Sequence, residues 1–412
     1  MQTISMYAIV VLSFLDLICA AATAADHHLL ACVGGTVYPS PTAAPIKDAT
    51  LLVEDGKITV VEAGTRVKLP ASTQVLACAG KFIVAGFWNS HVHFTEDAWN
   101  DAARAPAARL EAHMQEMLTR WGFTTVWDLG SLPSNTQTIR RRVESGEVPG
   151  PQILMAGDIF PKNGHPVYLP PKMQLPEAAT PQEAEQMSQQ YMKMGLDGLK
   201  LFTGSYMGQD KPVINMDTAI VKAAVDVAHA QGKRAFAHPQ NHTGADNALN
   251  GGVDILAHTL PSQKGFTPEE LAQMKRLHTA LIPTLTLWTT VVPDPAMQEQ
   301  LVQAGVNELK AYFSEGGMIL FGTDVGFITK YDTTQEFEFV GRAMGWKDIL
   351  AALTTNPAAE FQAPTKGRVE KGMDADLVVL DADPAADMRN LAKVAYTIRG
   401  GRIIYSGLEK PR

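Results

Sequence analysis

The stretch FIVAGFWNSHVH, residues Phe82–His93, sets the pattern from which the fold is predicted. It is an apolar run whose polar side chains gather near its end, as in a strand buried within a parallel sheet. Seven further apolar, strand-like runs alternate with helical patterns: Thr124–Asp128, Gln152–Ala156, Gly198–Phe202, Arg234–His238, Ile255–His258, Leu281–Thr284 and Ile319–Asp324. Eight alternating strands and helices over about 280 residues predict an α/β protein with a (β/α)8 barrel.

The helices between these runs have recognisable starts and stops. Thr180-Pro181-Gln182-Glu183 and Thr267-Pro268-Glu269-Glu270 both read as capping boxes with proline at the first helical position. The amphipathic segment Asp217–Gln231 stops at Gly232. An open, doubly wound sheet is the alternative, but no glycine-rich dinucleotide fingerprint follows a strand.

The two ends of the chain read as short strands and turns. Leu76–Val84 is predicted as one strand, and Glu54-Asp55-Gly56 as a hairpin turn. Each end is too small to bury a core alone. We therefore expect residues 25–83 and 366–412 to form one small β-sandwich domain beside a barrel of residues 84–365.

Composition limits the classes of function. The chain has 412 residues, 46% hydrophobic and 19% charged, with a formal net charge of −8. That charge argues against a nucleic-acid partner. Three cysteines are too few for a cysteine-rich zinc module, so any metal must be held by other residues, above all by some of the 11 histidines.

The first residues resemble an export signal. YAIVVLSFL (Tyr7–Leu15) is apolar, and Ala22-Thr23-Ala24 offers a signal-peptidase site, so residues 1–24 are predicted to be a signal peptide of a periplasmic or secreted protein. An uncleaved anchor is the alternative; after cleavage no stable membrane span is expected. In an oxidising compartment Cys32 and Cys78 could pair, or remain two small buried thiols.

Six residues at or near the ends of the predicted barrel strands form the candidate metal site. His91 and His93 alternate onto one face of a strand, and His238, His258 and Asp324 each end another. Lys200 lies inside an apolar strand, where it could act as a nucleophile, form a Schiff base, become an anionic carbamate, or reach water at the rim. Because barrel strands end at the catalytic face, these side chains should converge on divalent metal, most simply zinc.

These residues resemble those of the metal-dependent amidohydrolase superfamily, in particular its imidazolonepropionase-related branch. The resemblance also includes Ala85-Gly86-Phe87, Gly322-Thr323-Asp324, and the closing stretch Lys371–Leu380. It implies two divalent ions, with His91, His93 and Asp324 at one and His238 and His258 at the other. It further implies that Lys200 is carboxylated by CO2 and bridges the two ions. Asn89 departs from the aspartate that many members have two residues before the first histidine.

The resemblance implies hydrolysis of an amide, such as a dipeptide or an N-acyl amino acid, by a hydroxide that bridges the metals. Asp324 is the candidate general base. Opening of a cyclic amide, hydrolysis of an ester, lactone or phosphotriester, and a non-catalytic scaffold are the alternatives. Substrate contacts are predicted for His165, Tyr168 and Tyr206, on loops that follow barrel strands. The expected partner is a small-molecule amide, and such barrels often form homo-oligomers.

Overall fold

A computed structural model of the protein describes residues 28–407 except 65 and 263. The predicted signal peptide, residues 1–24, lies outside the described residues. Within them the chain folds into two sheets of eight strands and one small two-stranded sheet. No described helix is both long and apolar enough to cross a membrane.

Parallel strands form the barrel predicted from the alternating runs. Seven of them pair in the order β15-β14-β13-β10-β8-β7-β6. Their bounds are β6 (Phe87–Val92), β7 (Phe123–Asp128), β8 (Gln152–Pro161), β10 (Gly198–Leu201), β13 (Arg234–Ala237), β14 (Ile255–Ala257) and β15 (Ala280–Ile282). The short strands β9 (Glu177–Ala178), β11 (Gly204–Ser205) and β12 (Ile214–Asn215) lie in the connecting loops.

The eighth position of the barrel is filled by the segment 319–325, which the sequence predicts as a strand. Leu281 forms a parallel bridge to Ile319, and Val92 forms one to Val325. The N–H of Ser90 also donates to the carbonyl of Phe321 over 2.8 Å. The segment thus closes the ring between β15 and β6 by isolated bridges. Asp324, just before the bridge at Val325, adopts a positive φ of 60°, which is not an extended strand conformation.

The helices surround the barrel, as the alternating pattern predicts. They are α1 (Ala107–Met117), α2 (Pro133–Glu144), α3 (Pro181–Lys193), α4 (Thr218–His229), α5 (His242–Asn250), α6 (Pro268–Leu277), α7 (Trp288–Val291), α8 (Pro295–Ser314), α9 (Thr334–Val340), α10 (Trp346–Leu353) and α11 (Thr355–Glu360). The capping box predicted at Thr267 is present. Thr180 caps α3 as predicted, but Glu183 reaches back to the N–H of Ala179 rather than to that of Thr180.

Strands from both ends of the chain share the second sheet, in the order β18-β17-β16-β5-β1-β2-β3, with β4 paired to β1. They are β1 (Leu29–Val37), β2 (Ile46–Glu54), β3 (Lys57–Ala63), β4 (Gln74–Ala77), β5 (Phe82–Ala85), β16 (Leu377–Leu380), β17 (Val394–Arg399) and β18 (Arg402–Ser406). The composite small domain is therefore confirmed as part of the fold, while its exact limits stay predictions.

This sheet forks at β1. One edge of β1 pairs with β4 along Leu30–Val33 and with β5 along Thr36–Val37. The two branches enclose their own hydrophobic core, which includes Leu30, Leu51 and Ile398. Cys32 and Cys78 are buried in this core as free thiols.

Two predicted strands are wrong in their continuity. Leu76–Val84 is divided between β4 and β5 by a turn at Gly80, whose φ is 75°. Phe82–His93 is divided at Gly86 between β5 and β6. A Cβ at Gly86 would lie 2.2 Å from Oγ1 of Thr124, so the chain can pass from one sheet to the other here only as glycine.

Candidate metal centre

The first two predicted ligands lie at the end of the first barrel strand. His91 lies on β6 and His93 directly follows it, so strand-like alternation places both side chains on the same face; their Nε2 atoms are 3.2 Å apart. His91 is 1% exposed. Nδ1 of His93 is 2.7 Å from the carbonyl oxygen of Gly130, which fixes the ring and leaves Nε2 directed at the site.

Asp324 reaches the same point from the segment that closes the barrel. Its N–H donates to the carbonyl of His91 over 2.9 Å, which ties its backbone to β6. Its Oδ1 lies 3.3 Å from Nε2 of His91 and 3.0 Å from Nε2 of His93. These three side chains could together hold a metal ion.

The spacing of the three donor atoms fits a divalent cation. Zinc binds imidazole nitrogen and carboxylate oxygen at about 2.0–2.2 Å, so two ligands at a tetrahedral angle are about 3.3 Å apart. The observed separations of 3.2, 3.3 and 3.0 Å agree with that value. Nitrogen and oxygen donors of this kind suit zinc and similar ions.

The two other predicted histidines continue the cluster on the next strand ends. The ring of His258 lies 4.7 Å from that of His91 and 4.8 Å from that of His238, between centroids. His258 has a φ of 84°, and its Nδ1 is 2.7 Å from Oγ1 of Thr284. His238 follows β13, and its N–H donates to the carbonyl of Leu201 over 2.8 Å. All four predicted histidines therefore meet in one cluster.

Lys200 points into the barrel between these groups. On β10 it pairs in register with Phe236, which belongs to the apolar interior of the barrel, and its side chain is 1% exposed. Burial lowers the pKa of Lys200 to about 8, although the charges of Asp324 and Asp158 oppose the change. A neutral amine is the form that can react with CO2, so this environment favours the predicted carboxylation.

The site holds most of its imidazoles neutral, the form in which they bind metal. Burial lowers the pKa of His238 to about 3, with the charge of Lys200 as the next cause. Burial and the same charge lower the pKa of His91. For His93 burial acts in that direction too, but the hydrogen bond and charge of Asp324 outweigh it and raise the pKa.

Asn89 supports the cluster without binding to its centre. It is fully buried, and its Nδ2 donates to Oγ1 of Thr323 over 2.7 Å. Its Oδ1 accepts from the N–H groups of His91 and Thr323, each over 3.2 Å. The residue that departs from the family pattern is therefore a clamp between β6 and the segment that carries Asp324.

Two acidic residues of the site were missed by the sequence reasoning. Asp128 ends β7, and its Oδ1 accepts from the hydroxyl of Ser131 over 2.6 Å. Asp158 lies on β8 in register with Lys200. The signal for Asp128 was present, because it ends a predicted strand. Asp158 lay beyond the predicted end of the third strand at Ala156, while β8 continues to Pro161.

The predicted substrate residues are placed unequally. Burial raises the pKa of the Tyr168 hydroxyl, and the charges of Asp324 and Asp158 add to the effect. The residue is 37% exposed, and its ring packs edge-on against that of Phe327. The Nε2 atom of His165 is buried without a hydrogen-bond partner. Tyr206 is half-buried, and its carbonyl accepts from the N–H of Val167. Its backbone thus holds the loop that carries the other two residues.

Sequence and structure comparisons relate the chain to known proteins. A sequence profile described as the amidohydrolase family matches residues 82–404. Ochratoxinase of Aspergillus niger is 23% identical over 411 aligned residues, covering 87% of this chain and 83% of its own length. Imidazolonepropionase of Thermoplasma acidophilum is 45% identical over 67 residues, 15% of this chain and 16% of that protein.

Solved structures share the whole architecture. The crystal structure of a putative prolidase from Bifidobacterium longum superimposes with a TM-score of 0.77 at 26% identity, and the match covers 93% of this chain and 96% of that one. The superposition spans the barrel and the composite sheet together. The fold predicted from the sequence is therefore confirmed.

Proposed function

Since this chain belongs to the amidohydrolase family and is thus a hydrolase of carbon–nitrogen bonds, we propose that it uses two divalent metal ions to cleave an amide bond in a small substrate. The observation that carries the proposal is the convergence of His91, His93 and Asp324, with donor atoms 3.0–3.3 Å apart. Relatives named ochratoxinase and putative prolidase support an amide as the substrate.

Each side chain has a defined task in this proposal. His91, His93 and Asp324 would hold one ion, and His238 and His258 the other, with carboxylated Lys200 between them. Bound divalent ions would supply a Lewis acid for the scissile carbonyl and would acidify a water molecule. The proposed ions are zinc, for which these donors are well suited.

The chain itself would manage the protons and the substrate. Asp324 is anchored through its N–H to His91, so its carboxylate is positioned to accept a proton from the attacking water and to pass it to the leaving nitrogen. The Tyr168 hydroxyl and the unpartnered Nε2 of His165 would donate hydrogen bonds to substrate oxygens. These contacts would orient the amide over the cluster.

The test is a purified, metal-loaded enzyme assayed against dipeptides, N-acyl amino acids, hydantoins, lactones and phosphotriesters. About two divalent ions per chain are expected, because a bridged site binds its metals together. Asp324→Asn should lower kcat by about a hundredfold or more. Glu185→Gln is the matched control, because Glu185 is exposed on α3 and the substitution removes a carboxylate far from the barrel centre.

Carboxylation of Lys200 is tested separately. Lys200→Ala should lose activity and metal, and short-chain carboxylic acids should restore part of both by taking the place of the carbamate. A protein that is stable and fully active without metal would overturn the proposal. So would a metal-loaded enzyme that cleaves no substrate of the panel.

A further inference from the structure

Glu336 is a buried carboxylate outside the metal cluster, and the proposed reaction gives it no task. It lies on α9 and is 1% exposed. Its Oε1 accepts from the N–H of Leu285 over 2.8 Å, and its Oε2 accepts from the N–H of Thr286 over 2.6 Å. A carboxylate removed from water is costly unless it makes strong hydrogen bonds of this kind. Both of its oxygens therefore hold one short piece of backbone.

That piece of backbone begins a 3-10 helical turn, Leu285–Leu287, shortly after β15. Thr284, directly before the turn, adopts a φ of 48° and a ψ of 51°. This left-handed conformation is unfavourable for a β-branched residue and persists only when the surrounding structure holds it. Glu336 contributes such a hold, because it fixes the two peptide N–H groups that follow Thr284.

Thr284 in turn fixes the ring of His258. Its Oγ1 donates to the carbonyl of Pro283 over 2.9 Å and lies 2.7 Å from Nδ1 of His258. A hydroxyl has a single proton, so with that proton directed at Pro283 its oxygen accepts from the Nδ1–H of the ring. A neutral imidazole that carries its proton on Nδ1 has its free lone pair on Nε2. The contact therefore makes Nε2 the metal-binding atom of His258.

We propose that Glu336 is a positioning residue for His258. By holding the backbone at Thr284, it keeps the imidazole in the orientation and the tautomer that a metal ion requires. This inference rests on the proposed function, which assigns His258 to the second ion. The hydrogen bonds connect α9, which follows the segment that carries Asp324, to the residues that follow β15 and β14.

The experiment is a double-mutant cycle on metal affinity, measured by titration against a competing chelator. Glu336→Gln keeps the shape of the side chain but replaces one acceptor oxygen by an amide group that only donates. It should lower the affinity for one ion per chain by about tenfold or more, as the loss of an outer contact to a ligand does. If Glu336 acts through Thr284, the double variant Glu336→Gln/Thr284→Val should bind that ion within about twofold of Thr284→Val alone.

A second measurement needs neither metal nor turnover. NMR of the imidazole nitrogens in the metal-free protein distinguishes a nitrogen that carries a proton from one that does not. His258, identified by the signals that His258→Gln lacks, should carry its proton on Nδ1 in the native protein and exchange between both tautomers in Glu336→Gln. His93, whose ring the carbonyl of Gly130 fixes, should give the same signals in both.

Glu360→Gln is the matched control for a general loss of stability. Glu360 is also buried, and its Oε1 lies 2.9 Å from Nε of Arg234, which begins β13 at the end of the barrel away from the metal cluster. This variant should keep the native affinity for both ions and the native tautomer of His258.

Native metal affinity in Glu336→Gln, or losses that multiply in the double variant, would overturn the inference and leave the proposed function intact. A native His258 that carries its proton on Nε2 would also overturn it, and this result does not depend on the folding of any variant. If the protein binds no metal or cleaves no amide, the proposed function fails, and the tautomer comparison still decides the role of Glu336.

Discussion

Replacement of Asn89 by alanine should weaken both the fold and the metal site. The change removes three buried hydrogen bonds, one of 2.7 Å to the Thr323 hydroxyl and two of 3.2 Å from the N–H groups of His91 and Thr323. At about 1 kcal/mol net for each, the free energy of unfolding should fall by about 3 kcal/mol. Metal affinity should fall about 10- to 100-fold, because the clamp holds both halves of the ligand set in place.

Urea denaturation of the metal-free protein measures the first effect, and titration against a competing chelator measures the second. Asn89→Asp is the matched control. Its carboxylate keeps the oxygen that accepts from both N–H groups, and its other oxygen can accept from the Thr323 hydroxyl. The aspartate variant should therefore retain most of the stability. A loss below about 1 kcal/mol in Asn89→Ala, with unchanged metal affinity, would refute the assignment of Asn89 as a clamp.

Three further outcomes are expected. Thr284→Val removes the 2.7 Å contact to Nδ1 of His258. The affinity for one metal ion per chain, measured against a competing chelator, should therefore fall about 10- to 100-fold. Gly326→Ala should prevent a stable fold, because the added Cβ would lie 1.8 Å from the carbonyl oxygen of His93 at a φ of 96°, which soluble yield and thermal melting can show. Burial raises the pKa of Glu336 from 4.5 to about 6, so between these values the folded protein holds a proton that the unfolded chain releases. The free energy of unfolding should therefore fall by about 2 kcal/mol as the pH rises from about 4.5 to 6.5. Urea titrations of the metal-free protein measure this slope, and Glu336→Gln should flatten it.

Each of these outcomes has a control or a contrary result. Thr284→Ser keeps a hydroxyl and should behave as the native protein. Gly232→Ala, at a φ of 66° with open space around it, should cost only about 1 kcal/mol. A Gly326→Ala variant with the soluble yield and melting temperature of the native protein would show that the loop tolerates a side chain. A Glu336→Gln variant with the native pH slope would assign that slope to other groups.

Strand alternation and strand ends were the parts of the fold that the sequence could predict. An apolar run that ends in histidine or aspartate marks both a buried strand and its catalytic end, because parallel strands end on one rim. The pattern missed the division at Gly86. Nothing in the run Phe82–His93 shows that its first four residues pair with β16 rather than with the barrel. That pairing depends on strands nearly 300 residues away in the sequence.

For the candidate site, too, the sequence predicts some features and only the tertiary structure shows the others. The sequence by itself determined which donor types are present, since His91, His93, His238, His258 and Asp324 are the polar ends of apolar strands. Only the tertiary structure decided that Asp158 joins them and that Asn89 clamps them, because both roles depend on contacts across strands. A single strand shows which residues face inward, whereas the register of the neighbouring strand decides which of them meet. The charge balance around Lys200 depends on that register.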